Sequence, residues 1–371
     1  MPTSNRTVSL TTSAGNRLPT TTILVLGLGD LGRRIALGLS ASARVGRIVL
    51  AGRDPAATSS HARMVGACGA VPVRAATVDG LDSEALRVLI EREQPDLIVQ
   101  CASLMSPWAL HKRSDDLAGA LRASGFALQL PAQLPVITAL MRAVRESGRP
   151  CPVVNCSFPD VTHPILAAQG LAPTIGVGNA GMVLGLARAA LGPGPRRLRV
   201  LAHHAHVAAV TGADRARLRA PAPRVFVGEQ EMADTSFLFE GAPIPPNREL
   251  NALSATHALA IIDAMLPGGA PLETAAPGPL GLPGGWPVRI EGGRITLDLP
   301  HALDQAACIA FQHACARADG IDHIAADGTV HFTDQLKGCL PAAWRHLALP
   351  LHPESAIARH LQFEQALDAR A

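Results

Sequence analysis

Three glycines at positions 27, 29 and 32 have a spacing that suits the binding of a pyrophosphate. The segment reads Gly27-Leu28-Gly29-Asp30-Leu31-Gly32. It follows a β-branched and aliphatic run typical of a buried strand, and it precedes apolar residues at helical spacing. In this context the first glycine permits a tight turn, the second leaves room for phosphates, and the third lets helix and strand pack closely. Free N–H groups at the helix start would bind the phosphates, so the segment predicts a nicotinamide dinucleotide site.

The end of the second predicted strand bears on the choice between NAD and NADP. It reads Ala51-Gly52-Arg53-Asp54. A lone acidic residue there would bind the ribose 2′-hydroxyl and repel a 2′-phosphate, whereas Arg53 can pair with that phosphate in a bidentate manner. Asp54, which precedes Pro55, also suits the N-cap of the next helix. We therefore expect Gly52, Arg53 and Asp54 in the cofactor site, and NADP as the cofactor, with NAD as the alternative.

Two later strand ends are also expected at the cofactor, because ligands of such sheets bind beyond the carboxyl ends of the strands. Asp79 follows the third predicted strand and would approach the adenine. Cys101, Ala102 and Ser103 follow the fourth and would lie on the nicotinamide side.

The composition restricts which residue can move a proton. The chain has no tyrosine, and its only lysines are Lys112 and Lys337, both in polar contexts. The Tyr–Lys relay of short-chain dehydrogenases is therefore impossible here, and arginine does not deprotonate in proteins. Histidine, which titrates near neutral pH, is the natural acid or base.

Polar residues that could do this chemistry cluster in three regions. The first, residues 155–160, reads Asn-Cys-Ser-Phe-Pro-Asp and follows a buried strand, with His163 close behind. The second is the glycine-rich turn at residues 176–181, which precedes a helix. The third is His203-His204-Ala205-His206, at the end of a predicted strand over residues 198–202.

This order of features resembles the lactate/malate dehydrogenase superfamily over about residues 22–210. The resemblance implies that Asn155 contacts the nicotinamide ribose or the substrate, and that His203 or His204 exchanges the proton. In that family an aspartate on the helix after the Gly-x-Gly turn orients the histidine. Residues 178–188 hold no acid here, so the resemblance does not support a 2-hydroxy acid as the substrate.

The same resemblance suggests which residues bind the substrate. Arg188 takes the place of the family's carboxylate-binding arginine, and we expect Asn179 and His206 beside the substrate. The first domain is also similar to saccharopine-dehydrogenase-like proteins, through residues 51–54 and through Asp79 before Gly-Leu-Asp.

A metal-dependent alternative stays open at the histidine cluster. His-x-His near Cys156 or Asp160 could coordinate zinc or manganese. NAD-dependent glycosidases are similar in having a Rossmann domain followed by Asn and His ligands and a divalent metal. We assign no metal ligand, and keep as alternatives a glycosidase-like non-redox enzyme and a catalytically inactive dinucleotide-binding sensor.

Alternating strands and helices predict an α/β fold: a Rossmann doubly wound parallel sheet, followed by an α+β domain with a mostly antiparallel sheet. Beyond residue 157 glycine and proline become dense, and two hairpins are readable at residues 288–299 and 323–332. A helix is also predicted over residues 333–347. The expected divisions are a flexible tail at 1–20, the dinucleotide-binding domain at 21–157, a substrate and dimerisation domain at 158–350, and a C-terminal helical segment at 351–371.

The bulk composition sets the class of partner. The chain has 371 residues, 48% hydrophobic, with a formal net charge of +3, so nothing favours a nucleic acid or an acidic membrane. The longest apolar runs fall short of the ~20 residues of a membrane span. Seven scattered cysteines suit free thiols in the cytoplasm. We predict a homodimeric NADP(H)-dependent oxidoreductase that acts on a small polar carbonyl, imine or alcohol, with a histidine as acid/base.

Overall fold

The computed structural model describes residues 20–110, 113, 119–121, 125–192 and 197–368. The predicted flexible tail at 1–20 lies outside these residues except for its last position, as does Lys112. Element bounds below refer to the described residues.

The first half of the chain forms a six-stranded sheet in which every neighbouring pair is parallel. Its order is β3-β2-β1-β4-β5-β6, the strand order of the Rossmann fold. The predicted fold class is thereby confirmed. The strands are β1 (Thr22–Leu26), β2 (Arg47–Gly52), β3 (Val73–Thr77), β4 (Leu97–Gln100), β5 (Val153–Asn155) and β6 (Ile175–Gly176).

Helices cover both faces of this sheet, so its central strands are buried on both sides. In β1, Leu24 packs into the hydrophobic cluster on one face and Val25 into the cluster on the other. This explains the continuous apolar run of the sequence, since alternate side chains point to opposite faces and both faces are dry. The helices are α1 (Asp30–Ser40), α2 (Pro55–Cys68), α3 (Ser83–Glu93), α4 (Leu130–Glu146) and α5 (Pro159–Ala168).

One helical stretch corrects the expectation about apolar length. Ala127–Glu146 is long and apolar enough to cross a membrane by length and composition alone. Its most apolar window is 94% buried inside the molecule, which is how the core helix of a folded domain behaves. Scattered polar residues such as Gln133 and Thr138 divide the stretch into short apolar runs, which is why the sequence did not reveal it.

Beyond β6 the chain forms small antiparallel sheets packed with helices, as predicted. The sheets contain β7 (Leu198–Leu201), β8 (Arg224–Val227) and β9 (Gln230–Glu231); β10 (Leu272–Pro277), β11 (Gly285–Glu291) and β12 (Arg294–Leu297); and β13 (Ile321–Ile324) and β14 (Val330–Phe332). The helices are α6 (Asn179–Leu191), α7 (His204–Thr211), α8 (Leu250–Met265), α9 (Gln305–Ala318), α10 (Asp334–Cys339) and α11 (Ala356–Asp368).

Turn chemistry explains where this region agrees with the sequence and where it does not. β11 and β12 join through Gly292 and Gly293, both at positive φ, as predicted for a two-residue hairpin. The helix expected over 333–347 is wrong in length: α10 stops at Cys339, and a 3₁₀ segment, Ala342–Ala348, follows. Pro341 lacks the N–H that would continue the helix, which accounts for the break.

The parallel sheet extends past the predicted boundary at residue 157, because β6 pairs with β5 through Val154 and Ile175. The C-terminal segment also returns to the first half: Phe363 and Leu367 of α11 share a hydrophobic cluster with residues of α4. The division of the chain into domains stays a prediction.

Candidate active site

The three glycines of the phosphate turn have three different surroundings. Gly27 has φ +95°, and a Cβ there would lie 2.5 Å from the backbone N of Ala102. A Cβ at Gly32 would lie 2.0 Å from the carbonyl oxygen of Gly27, so only glycine allows helix and strand to approach this closely. A Cβ at Gly29 would meet nothing within 4 Å. The space beside Gly29 is therefore open, as the room for phosphates requires.

The start of α1 suits an anion. The first hydrogen bond of the helix runs from the Arg33 N–H to the carbonyl of Gly29, 3.1 Å away, and the N–H groups of Asp30, Leu31 and Gly32 have no partner within the helix. The carboxylate of Asp30 is turned aside, because it accepts hydrogen bonds from Arg34 and Asn251, both at 2.9 Å. These residues fit the pyrophosphate of a dinucleotide.

At the end of β2, the Asp54 side chain caps a helix, whereas the Arg53 side chain is exposed. Asp54 is the N-cap of α2 and accepts the N–H groups of Ala56 and Ala57 at 2.9 and 3.0 Å, so its carboxylate is committed to the helix. Arg53 is exposed and pairs with no acid among the described residues. Gly52 packs beside Thr58, whose Oγ1 would lie 2.8 Å from an added Cβ. Arg53 is thus the charged side chain at this strand end that is open to a ligand.

The later strand ends are occupied largely by local contacts. Asp79 is exposed, and its carboxylate caps its own turn through the Leu81 N–H at 3.0 Å. Ala102 packs against the phosphate turn, since a Cβ at Gly27 would lie only 2.5 Å from the backbone N of Ala102. Ser103 donates to the carbonyl of Met105 at 2.9 Å. Cys101 lies beside Cys156, with their sulfurs 3.4 Å apart.

A cavity of about 620 Å³ opens at the carboxyl ends of β5 and β6, beside the start of α1. Leu31 of the phosphate turn forms one wall, Cys156 and Asn179 follow the strands, and His204 stands at the start of α7 on the other side. This position matches the place where such sheets bind ligands. Further lining residues come from distant parts of the chain: Trp108, Phe126, Gln129, Gln133, Phe158, Arg217, Arg219, Asn251 and Asp319.

His204 and Asp319 form a hydrogen-bonded pair in the wall of this cavity. Nδ1 of His204 lies 2.8 Å from Oδ2 of Asp319, and the Asp319 side chain is only 6% exposed. Burial opposes the charged ring, but the negative charge of Asp319 outweighs it and raises the pKa of His204 above its ordinary value. Burial likewise opposes ionisation of Asp319, yet contacts with His204 and His203 hold its pKa well below its usual range.

Two aromatic rings fix the plane of the His204 imidazole. The ring centroids of Phe126 and Phe158 lie 4.6 and 5.0 Å from that of His204. Phe158 has φ +42° and ψ 55°, a left-handed conformation that is unusual and costly for a bulky residue. The strained backbone places the Phe158 ring against the histidine. Strain of this kind concentrates at functional sites.

Asp160 holds the elements around the histidine together. One carboxylate oxygen accepts the backbone N–H of His204 at 3.0 Å, and the other accepts a hydrogen bond from the side chain of Asn179. Asp160 is only 1% exposed. This buried residue therefore joins the start of α7 to the start of α6.

Three predicted site residues are fully buried and do not line the cavity. The Asn155 side chain accepts the Ser157 N–H at Oδ1, at 2.9 Å, and donates from Nδ2 to the Thr162 hydroxyl, at 3.1 Å. His203 turns inward as the N-cap of α7 and accepts the Ala205 N–H at 3.1 Å. Neither side chain lines the cavity, and their contact with the ligand stays a prediction. A helix begins at His204, where the sequence predicts a strand end. Nδ1 of the buried His203 lies 3.4 Å from Oδ2 of Asp319.

The third buried residue is His206. Its Nδ1 accepts the His203 N–H at 2.9 Å, and its Nε2 lies 2.7 Å from the Pro221 carbonyl. Burial is the main reason that its pKa falls to about 3, so it stays neutral. Both nitrogens of His206 are thus engaged within the protein, and its contact with the substrate stays a prediction.

Arg188, predicted beside the substrate, also lies outside the cavity wall. It lies in the last turn of α6, where it donates to the Glu273 carbonyl at 3.1 Å and does not line the cavity. Asn179, at the first turn of the same helix, does line it. The two residues are separated by the length of the helix, about 1.5 Å for each residue between them.

Asp319 supplies the carboxylate partner of the histidine that residues 178–188 lack. It is the C-cap of α9, and its backbone carbonyl accepts the Ala127 N–H at 3.0 Å. Gly125 fits there because a Cβ would lie 2.5 Å from that carbonyl oxygen. The only local signal is the Asp319-Gly320 pair after a helix, which predicts a helix end and not an active site.

No group of three or more histidine, cysteine, aspartate or glutamate side chains is placed to hold a metal ion among the described residues.

No family model and no curated protein matches the sequence. The solved structures to which it is similar include two lactate dehydrogenases. One is MGS-M5, from a Medee basin deep-sea metagenome library, at 12% identity and TM-score 0.47, covering 81% of this chain and 97% of that one. The other is the enzyme of Eimeria maxima with NADH and oxamate, at 12% identity and TM-score 0.47, covering 82% and 92%. Likeness at this level is distant, and the fold described above rests on this chain's own strand order.

Proposed function

We propose that this protein is a nicotinamide-dinucleotide-dependent oxidoreductase in which His204 is the proton donor and acceptor. The observation that carries the proposal is the His204–Asp319 pair in the wall of a cavity that also reaches the phosphate turn at Leu31. A histidine whose pKa is raised by a buried carboxylate is suited to general acid catalysis near neutral pH. Tyrosine is absent from the chain, which leaves the chemistry to such a group.

The phosphate turn and the start of α1 would hold the dinucleotide through backbone N–H groups. When bound, the dinucleotide supplies a hydride to the substrate or accepts one from it. Gly29 leaves the space that this approach needs, and the positive end of the α1 dipole favours the phosphates.

His204 exchanges its proton at Nε2, because Nδ1 is held by Asp319. In the reducing direction the protonated ring gives that proton to the alkoxide oxygen that forms from a carbonyl, or to the nitrogen that becomes the amine when an imine is reduced. In the oxidising direction the neutral ring takes it from the alcohol or amine. Asp319 keeps Nδ1 protonated and stabilises the imidazolium, while Phe126 and Phe158 restrain the ring.

We assign the cofactor as NADP, with NAD as the alternative. Asp54 is bound to the first turn of α2, and Arg53 at the same strand end is exposed without an acidic partner among the described residues. An arginine so placed favours a 2′-phosphate.

The substrate class that suits the cavity is a small polar carbonyl, imine or alcohol. Apolar side chains make up much of the wall, and Gln129, Gln133 and Asn179 add a few polar groups. This composition is typical of small-molecule sites. The homodimer and the cytoplasmic location remain part of the proposal.

The test has two steps. Titrations of the purified protein with NADPH and NADH, followed by the fluorescence of the reduced nicotinamide, measure binding. A panel of small carbonyls, imines and alcohols is then screened by the change in absorbance of the reduced nicotinamide. If the protein binds neither NADPH nor NADH, the proposal is overturned. Binding without turnover of any panel member would favour the catalytically inactive sensor instead.

A further inference from the structure

Two cysteines stand side by side at the ends of neighbouring strands. Cys101 follows β4 and Cys156 follows β5, and the register pairs the preceding residues, Gln100 and Asn155. The ladder continues beyond them, since the Cys156 N–H donates to the Gln100 carbonyl at 2.9 Å. The two sulfurs are 3.4 Å apart, which is van der Waals contact without a covalent bond.

This pair lies between the phosphate turn and the proposed substrate cavity. The Cys101 N–H donates to the carbonyl of Leu26, the residue before the turn, at 2.8 Å. The Cβ of Cys101 would be 3.3 Å from a Cβ added at Gly32. On the other side, Cys156 lines the cavity. A covalent bond between the two cysteines would therefore alter both the phosphate turn and the wall of the cavity.

The pair differs from the remaining cysteines of the chain, all of which are described. Cys68 and Cys339 are exposed, and Cys151, Cys308 and Cys315 are buried. Cys101 and Cys156 are both partly exposed, and Cys156 lines the cavity, so a small oxidant can reach the pair. The hydrogen bond with Cys101, together with burial, raises the pKa of the Cys156 thiol well above its ordinary value. Cys156 thus holds its proton more tightly than an ordinary thiol.

We propose that Cys101 and Cys156 form a reversible disulfide under peroxide, and that this disulfide switches off the dinucleotide site. The first part stands on the geometry of the two thiols, and the second rests on the proposed function. The thiolate of Cys101 attacks hydrogen peroxide, becomes a sulfenic acid and releases hydroxide, which takes up a proton. The sulfur of Cys156 then displaces the second hydroxide. Two thiols and one peroxide give one disulfide and two waters.

Closure of the bond would deform the floor of the site. A disulfide needs a sulfur–sulfur distance of about 2.0 Å, so the sulfurs must approach by about 1.4 Å from 3.4 Å. Rotation of the two side chains, together with a shift of the ends of β4 and β5, would bring the sulfurs together, and Cys101 is hydrogen-bonded to the base of the phosphate turn. Displacements of this size lower turnover by on the order of 10²-fold. A dithiol reductant would restore activity, because reduction returns both thiols.

The experiment uses the full-length protein, fully reduced and then treated with a small excess of hydrogen peroxide. Intact mass should fall by two hydrogens, and peptide mapping without reductant should link Cys101 to Cys156. Turnover and NADPH affinity are measured on the reduced, the oxidised and the re-reduced protein. We expect turnover to fall by on the order of 10²-fold on oxidation and to recover with dithiothreitol.

Cys101→Ser and Cys156→Ser should each abolish the mass change and make the ratio of oxidised to reduced activity close to one. Cys339→Ser, which removes an exposed thiol far from the pair in the sequence, should respond like the wild type. Oxygen addition at Cys68 or Cys339 with no Cys101–Cys156 link would overturn the proposal. A link that leaves affinity and turnover unchanged would overturn the switch.

The outcome is separable from that of the proposed function. If the reduced protein binds no dinucleotide, the proposed function fails, while the mass and the peptide map still decide whether the disulfide forms. If the reduced protein binds and turns over, the activity ratio decides the switch.

Discussion

The phosphate turn and the histidine site lie on the same cavity, yet they are built in different ways. The turn is a single stretch, Gly27 to Gly32, whose glycine spacing can be read directly from the sequence. The histidine site joins four stretches: His204, Asp319, Phe126 and Phe158. Local sequence can specify the first. The second exists only once the chain has folded.

The largest effect is expected from His204→Gln. If His204 moves the proton, turnover should fall on the order of 10²- to 10⁴-fold, whereas dinucleotide affinity should stay unchanged because the phosphate turn is untouched. His313→Gln is the matched control, since His313 is exposed on α9 and does not line the cavity. Turnover that survives the loss of His204 would move the proton donor elsewhere.

Asp319→Asn should cost on the order of 10²-fold in turnover, because asparagine cannot stabilise the imidazolium. The wild-type pKa of His204 is raised, so the protonated ring persists to higher pH. In the variant the alkaline limb of the pH profile of reduction should therefore move to lower pH. Asp334→Asn, at an exposed partner of Lys337, should leave the profile in place. An unshifted limb in Asp319→Asn would break the link between the two side chains.

The same pair sets a pH window for stability. The raised pKa of His204 contributes stability that is present below its unfolded pKa, about 6.5, and is lost as pH rises through the folded value. The lowered pKa of Asp319 contributes stability above about 3.9, lost as pH falls toward the folded value. The difference in unfolding free energy between wild type and Asp319→Asn should thus be largest between roughly pH 4 and 6.5, as denaturant titrations at several pH values would measure.

Within the turn, Gly29→Ala and Gly32→Ala should separate binding from folding. At Gly29 the added methyl meets no protein atom, so the melting temperature should hold while dinucleotide affinity falls roughly tenfold to a hundredfold by overpacking of the ligand. At Gly32 the methyl would lie 2.0 Å from a carbonyl oxygen, so the fold itself should lose about 1–3 kcal/mol. Equal losses of stability in both variants would contradict this division.

The smallest effect is expected from Arg53→Ala. Loss of a charged hydrogen bond to the 2′-phosphate should weaken NADPH binding about tenfold and leave NADH binding unchanged. Arg63→Ala, another exposed arginine nearby on α2, is the control. Equal losses for both dinucleotides would show that Arg53 has only a structural role.

The difference between the phosphate turn and the histidine site explains which features could be predicted from the sequence. The alternation of strands and helices predicted the parallel sheet, and glycine spacing located the turn, because both depend on neighbours in the chain. The role of Asp319 depends on where the end of α9 packs, which no local pattern encodes. His203 and His206 were assigned to the site because a strand was extended to them. Because α7 begins at His204, both rings are instead buried in contacts at the start of that helix.

The left-handed backbone of Phe158 sets backbone strain against packing. Glycine or asparagine would adopt φ +42° more readily and relieve strain of order 1–3 kcal/mol. Either would also remove a buried aromatic side chain, at a cost of about 3–5 kcal/mol, and with it the ring that restrains His204. In a directed-evolution experiment, variants chosen for thermal survival and variants chosen for turnover should therefore both keep phenylalanine at position 158. The codon at that position should stay constant under either pressure.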